Sequence, residues 1–123
     1  MQTAKVNLAE KYALFNEHFT PKIVGEANGQ YVKIAKIQGE FVWHSHEHED
    51  ELFLVFKGVL TIELRDGVIK LGEGEMFIVP KGVEHRTLAE EETYIMMIEP
   101  KSTAHAGDVD TTLAVPTEAQ EWI

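Results

Sequence analysis

Asn28-Gly29 and Asp66-Gly67 restrict the fold of this chain more than any other feature. Each dipeptide signals a type I′ hairpin, because both central residues of that turn take positive φ, which Asn, Asp and Gly tolerate. Each lies between two strand-forming runs, 22–27 and 31–37 around the first and 59–65 and 68–71 around the second. Further runs cover 41–46, 52–56, 76–79, 84–88 and 93–98, punctuated by Gly39, Gly58, Gly72 and Gly74. Strand signals broken by turns every several residues, with no long central helix between them, describe an antiparallel all-β sandwich or barrel.

The ends of the chain read differently. Asn7 caps a helix and Glu10 stands three residues later, as in a capping box. Leu8, Tyr12, Phe15 and Phe19 follow at spacings of 4, 3 and 4, one apolar stripe, and Pro21 stops the element. Residues 1–20 are therefore expected as an N-terminal helix that covers the barrel or a subunit contact, and 22–100 as the barrel. The tail, 101–123, is rich in Thr, Ala, Asp and Glu and contains Pro116. It reads as an extended segment laid across the surface and anchored by Trp122. At 123 residues the whole is one domain, 1–123, large enough for a hydrophobic core.

Charge and composition exclude several classes. The net charge of −10 argues against nucleic acid, since binding phosphate needs a basic face, and against anionic membranes. No apolar run approaches the roughly 20 residues that span a bilayer. No cysteine is present, so disulfides and thiolate metal sites are excluded, and a reducing cytoplasm is the expected location. No signal peptide is visible. Glu90, Glu91 and Glu92 read as a solvated loop.

Chemistry concentrates in two patches. The first is His44-Ser45-His46 followed by Glu51; the second is His85, at the end of Gly74-x5-Pro80-x-Gly82-x2-His85. Alternate side chains of a strand share a face, so His44 and His46 point the same way and can converge on one ion. A loop over 47–50 returns Glu51 beside them. If His85 meets the other patch, three imidazoles and a carboxylate suit one divalent first-row transition metal with room left for water or substrate. A lone histidine near a strand end is usually an ordinary surface residue, but this many matched positions favour a metal site. His48 is in phase with His44 and His46 and is a fifth candidate; its plain alternative is an exposed histidine whose charged form Glu47, Glu49 and Asp50 favour. Phe53, Phe77, Met76, Tyr94, Met96 and Met97 are candidates to line the barrel, Tyr94 and Thr87 to hydrogen-bond a ligand, and Arg65 and Lys81 to anchor a substrate carboxylate.

These motifs resemble those of a small single-domain cupin. His44-x-His46, four residues, Glu51, six residues and Gly58 follow the first cupin motif; Gly74, Pro80, Gly82 and His85 follow the second. Gly39 stands one residue closer to the first histidine than the family pattern, and Ala89 replaces its final asparagine, which is not a ligand. Fifteen residues separate Gly58 from Gly74, as in small microbial cupins. The resemblance implies a small jelly-roll β-barrel holding one metal (Zn, Mn, Fe, Ni or Cu) on His44, His46, Glu51 and His85. It also implies a small-molecule ligand in the barrel and a homodimer paired through edge strands.

The chain is similar to the small cupins described as mannose-6-phosphate isomerase-like, a label that reflects barrel similarity. The larger isomerases carry further domains and substrate residues that do not appear here. The family hosts isomerases, dioxygenases, decarboxylases, epimerases and non-catalytic binders, so fold alone does not choose among them. The first expectation is a metal-dependent enzyme, an isomerase or oxygenase, acting on a small polar metabolite. The alternative is a non-catalytic small-molecule binding or sensor module with a bound metal. A purely structural barrel ranks below both, because four ionisable groups facing inward cost on the order of several kcal/mol if uncompensated.

Overall fold

A computed structural model describes residues 4–123. In chain order it has one helix, α1 (Leu8–Tyr12), and eight strands: β1 (Lys22–Ala27), β2 (Gln30–Glu40), β3 (Glu51–Lys57), β4 (Leu60–Leu64), β5 (Gly67–Leu71), β6 (Met76–Val79), β7 (His85–Pro100) and β8 (Glu121–Trp122). Both dipeptide turns make the expected hairpins: β1 pairs antiparallel with β2, and β4 with β5. The sheet runs β5-β4-β7-β2-β1-β8, and β3 joins β6 to β7. This is an all-β jelly roll with one short helix. No helix among the described residues is long and apolar enough to cross a membrane.

Strand β7 organises the sheet. It lies against β2 along most of its length, against β4 through His85–Leu88 and against β3 through Tyr94–Ile98. The runs 84–88 and 93–98, expected as two strands, are one strand with an irregularity between them. The register passes from Ile37↔Thr93 to Gly39↔Ala89, so one residue of β2, Gln38, opposes three of β7, and 90–92 bulge outward. Glu90, Glu91 and Glu92 are therefore exposed as expected, but within a strand rather than a loop. Alternation sends His85, Thr87, Ala89, Thr93, Ile95, Met97 and Glu99 inward. With Ala35, Ile37, Phe53, Val55, Leu60, Ile62, Leu71 and Val79, the apolar members of that row form the main core.

The N-terminal segment departs from the helix expected over 1–20, whose first three residues lie outside the described ones. Only Leu8–Tyr12 is helical, with the Asn7 side chain accepting the Glu10 amide at 3.0 Å. The stripe at helical spacing serves two separate cores. Tyr12 and Phe15 join Val24 and Ile34 on the outer face of the sheet, where the Tyr12 hydroxyl donates to the Ile95 carbonyl and Lys36 Nζ donates to the Phe15 carbonyl. Phe19 turns the other way, in a left-handed conformation (φ 54°), and stacks on Phe41 at the main core. One continuous helix cannot reach both.

Gly58 lies in the β3–β4 connection with φ 98°, and a Cβ there would stand 2.6 Å from Thr93 Oγ1 and 3.1 Å from Thr93 Cα. Thr93 is buried and its hydroxyl accepts the Val59 amide. Gly58→Ala is expected to cost about 1–3 kcal/mol through strain at this φ, read as a lower urea midpoint; an unchanged midpoint would mean that the hairpin yields freely.

Candidate metal centre

Residues 41–46 do not form the regular strand that their alternation suggests. They make isolated contacts with the start of β7: Phe41 donates to the Thr87 carbonyl, and His44 and His85 exchange both backbone hydrogen bonds at 2.9 Å. The Gly82 amide donates to the His46 carbonyl at 2.8 Å. The two motifs are thus joined through backbone bonds as well as through side chains. Asp50 Oδ1 accepts the Lys81 amide at 2.8 Å, which pins the 47–50 loop to the β6–β7 turn and aims Glu51 inward at the head of β3.

His44, His46, Glu51 and His85 are all buried, and one donor atom from each lies within 4.8 Å of the other three. An ion with bonds of about 2.1 Å spaces its donors about 3 to 4.2 Å apart, so modest side-chain adjustment completes a coordination sphere. His46 Nε2 and His85 Nε2 stand 3.4 Å and 3.5 Å from Glu51 Oε1, and among the described residues none of these three buried atoms has a hydrogen-bond partner. Buried polar atoms are rarely left so, and a shared cation satisfies all three at once. The tautomers agree. His44 Nδ1 lies 2.9 Å from the Val42 carbonyl and His85 Nδ1 lies 3.0 Å from the Val83 carbonyl. A carbonyl only accepts, so Nδ1 carries the proton and Nε2 keeps its lone pair for a metal.

Electrostatics favour the cation-binding forms of His44 and Glu51. Burial, then the adjacent His85, pushes the His44 ring down to about 4, so it stays neutral. Burial raises the Glu51 carboxyl, but polar contacts from His46, His85 and Glu99 outweigh it and hold the group well below the usual carboxylate range. The register Leu52↔Ile98 sets Glu99 beside Glu51, and Lys33 Nζ lies 3.0 Å from Glu99 Oε1. Burial and the Glu51 charge push Glu99 well up, against the pull of Lys33. This buried Lys33–Glu99 pair escaped the sequence reading, since a lysine and a glutamate in strand runs look like solvated positions. The only available signal was that both fall in phase with core residues, Lys33 with Ala35 and Ile37, and Glu99 with Ile95 and Met97.

The other candidates divide. Phe53, Met97 and Thr87 do line the cavity next to the ligand set, and Phe77 packs on the core. Met76 is half-exposed on the outer face, and Tyr94 and Met96 face outward to the N-terminal cluster instead of the barrel. In each case the alternation of β6 or β7 selects the outer side. Arg65 lies over the Trp43 ring and pairs with Glu84, and Lys81 is exposed, so neither faces the cavity. The His48 side chain is 79% exposed beside Glu47, outside the four-residue cluster. The 47–50 loop leaves the strand path before His48, which breaks the alternation.

The tail closes the barrel mouth. It is a series of turns ending in a 3-10 turn, Thr117–Ala119, and β8, rather than one extended segment. Trp122 meets Tyr31 edge-on while half-exposed; the deeper anchors are Thr103 and Ala106, both fully buried. His105, which no motif or spacing singles out, stacks on Phe41 with centroids 4.7 Å apart. Beneath it lies a cavity of about 30 Å³, walled by Phe19, Phe41, Phe53, Ile95 and Met97, with His44, Glu51, Thr87 and His105 as its polar members.

Protonating a ring held at about 4 opposes folding. The unfolded chain takes up that proton below about 6.5, so the contribution of His44 is complete above pH 6.5 and is lost as the pH falls towards 4. Metal-free protein is expected to lose on the order of 3 kcal/mol from this group across that window. Urea midpoints of the wild type and His44→Gln at pH 7.5 and 4.5 check it: equal pH slopes for the two proteins would remove His44 as the cause.

Comparison with known proteins agrees with this geometry. The family described as Cupin domain matches residues 30–100. The uncharacterised protein YdbB of Bacillus subtilis (strain 168) is 35% identical over 95 residues, 75% of this chain and 76% of that protein. The crystal structure of a cupin-2 domain containing protein from Shewanella frigidimarina is 48% identical, covering 77% of this chain and 93% of that one with a TM-score of 0.76. Protein NMB1881 from Neisseria meningitidis is 30% identical, covering 79% and 99%, with a TM-score of 0.73.

Proposed function

We propose that this chain, which belongs to the cupin family, is a metal-dependent enzyme acting on a small polar metabolite by isomerase or oxygenase chemistry, with His44, His46, Glu51 and His85 as its metal ligands. The observation that carries the reading is the set of three buried donor atoms, His46 Nε2, His85 Nε2 and Glu51 Oε1, that face one another with no other partner. An ion bound there supplies Lewis-acid polarisation of a substrate oxygen, or redox chemistry if it is iron. The chain's own part is orientation and exclusion of water. The Val42 and Val83 carbonyls fix two ring orientations, the strap and the Phe19–Phe41 stack cover the mouth, and His44 and Glu51 reach the cavity floor.

Metal analysis tests the reading most directly. Protein purified from its native host is expected to carry about one transition-metal ion per chain, and His85→Ala to carry little, while remaining folded by circular dichroism. Adding the ion at a hundred times its dissociation constant to stripped wild type is expected to stabilise it by about 2.7 kcal/mol. Equal metal content in wild type and His85→Ala would remove this site. Iron would favour an oxygenase, and zinc or manganese an isomerase. Ligand-induced stabilisation without turnover across a metabolite panel would assign the binding-module alternative instead.

We extend the reading to a homodimer. Among the described residues β6 pairs only with β3, and its outer face carries Met76 at 49% and Ile78 at 47% exposure beside the half-buried Leu52 and Leu54. An open edge next to an apolar face supports pairing with a second copy. Light scattering is expected to give twice the chain mass for the wild type and the chain mass for Ile78→Lys; a monomeric wild type would end this extension.

A further inference from the structure

The strap across the barrel mouth brings in a residue that the metal reading does not use. Gly107 sits against the Ser45 peptide between two of the ligand histidines; with φ 57°, a Cβ there would stand 2.2 Å from the Ser45 carbonyl oxygen. That close fit fixes the height of the strap. Two residues earlier, His105 lies flat on Phe41 and reaches the cavity that His44 and Glu51 also line.

The proton of this ring is located by its neighbour. His105 Nδ1 lies 2.9 Å from the Val115 amide nitrogen. An amide N–H only donates, so Nδ1 accepts, and the neutral ring carries its hydrogen on Nε2. Burial pushes the ring down to about 4, which preserves that tautomer near neutral pH. Among the described residues no hydrogen bond engages Nε2. The strap therefore brings a ring whose Nε2–H has no described partner to the lining of a mostly apolar chamber, where the Thr87 hydroxyl is the other neutral donor.

The chamber also restricts what that donor can meet. Its volume of about 30 Å³ is room for about two waters. No Lys or Arg lines it among the described residues, and Lys33 behind it is already paired with Glu99. A divalent ion on neutral imidazoles and the Glu51 carboxylate leaves one net positive charge, which a carboxylate balances; a phosphate dianion exceeds it by one charge in a space with no side-chain cation, which is costly. A carboxylate or carbonyl oxygen can sit towards the four-residue cluster, accept one hydrogen bond, and leave its carbon body against Phe53 and Ile95.

We propose that His105 Nε2–H is the recognition donor of the barrel cavity, and that it selects a compact carboxylate or carbonyl compound with an apolar body rather than a phosphorylated sugar. The proposal rests on the metal-centre reading above and gives that site its ligand class. His105 acts as a binding and positioning residue, and its place depends on the Gly107–Ser45 contact and on the Val115 hydrogen bond.

Cobalt-loaded protein tests it, with acetate and inorganic phosphate as the probes. Cobalt content is measured first for the wild type, His105→Phe and His105→Gln, and the visible cobalt spectrum is then titrated with each anion. All three proteins are expected to retain cobalt. Acetate is expected to bind His105→Phe, which keeps the stacking but loses the donor, about tenfold or more weakly than wild type. His105→Gln, with an amide N–H at similar reach, is expected to recover most of that loss, and phosphate to bind wild type more weakly than acetate does. Retained cobalt with equal acetate affinity in wild type and His105→Phe overturns the proposal alone. So does no acetate response in cobalt-loaded wild type, a His105→Gln variant as weak as His105→Phe, or phosphate binding tighter than acetate. A wild type that holds no cobalt overturns the metal reading, and this proposal with it.

Discussion

Most of the sheet hangs on the backbone hydrogen bonds of β7. This one strand pairs with β2, β3 and β4, and its inward row runs from His85 through the core residues Ala89, Ile95 and Met97 to Glu99. Such a strand cannot pair with different partners at its two ends without a change of direction. The bulge at 90–92 supplies that change, which leaves the acidic tripeptide pointing at water. The strand thus carries a candidate metal ligand at one end and, at the other, the carboxyl that faces the Glu51 side chain. Core packing and site geometry share a single register, and a slip of one residue would turn both outward.

What could be read from the sequence was what local chemistry decides. Two hairpin dipeptides place β1–β2 and β4–β5, because positive φ is a local demand. The spacing of His44, His46, Glu51 and His85 brought four distant donors onto one list, and the fold gathers them within a few ångströms. What escaped was set by tertiary context. The spacing of Tyr12, Phe15 and Phe19 fits a helix, yet each end of that stripe packs on a different core. Met76, Tyr94 and Met96 have the composition of lining residues but fall on the outer phase of their strands. The role of His105 depends on where a turn-rich tail crosses the mouth, and nothing local encodes that.

The buried charges show how the site is supported. Lys33 and Glu99 are 1% and 3% exposed, and an isolated pair at that depth gains little net stability after desolvation. Here the pair stands directly behind Glu51. A glutamate at that position pushed towards its neutral form presents less negative charge to its neighbour, and the lysine compensates what remains. The Glu51 carboxyl is held well below the usual carboxylate range first by His46 and His85, and Glu99 adds to them from outside the candidate ligand set, as outer partners commonly do in metal sites. The hydrophobic wall around them raises the stakes of every polar contact, because little water competes.

The last residues of the chain give the strap a mechanical character. Glu121 and Trp122 pair in parallel with Lys22 and Ile23, and the Ile123 amide donates to the Ile23 carbonyl at 3.1 Å. The segment from β7 to β8 is consequently tethered at both ends, a strap held in the sheet on either side. Closure entropy grows only logarithmically with loop length, so such a tether is held at small thermodynamic cost. A few local bonds, among them Ser102 to Glu49 and Val115 to His105, seat the middle of the segment, and none of them belongs to the ladder that holds the rest of the sheet.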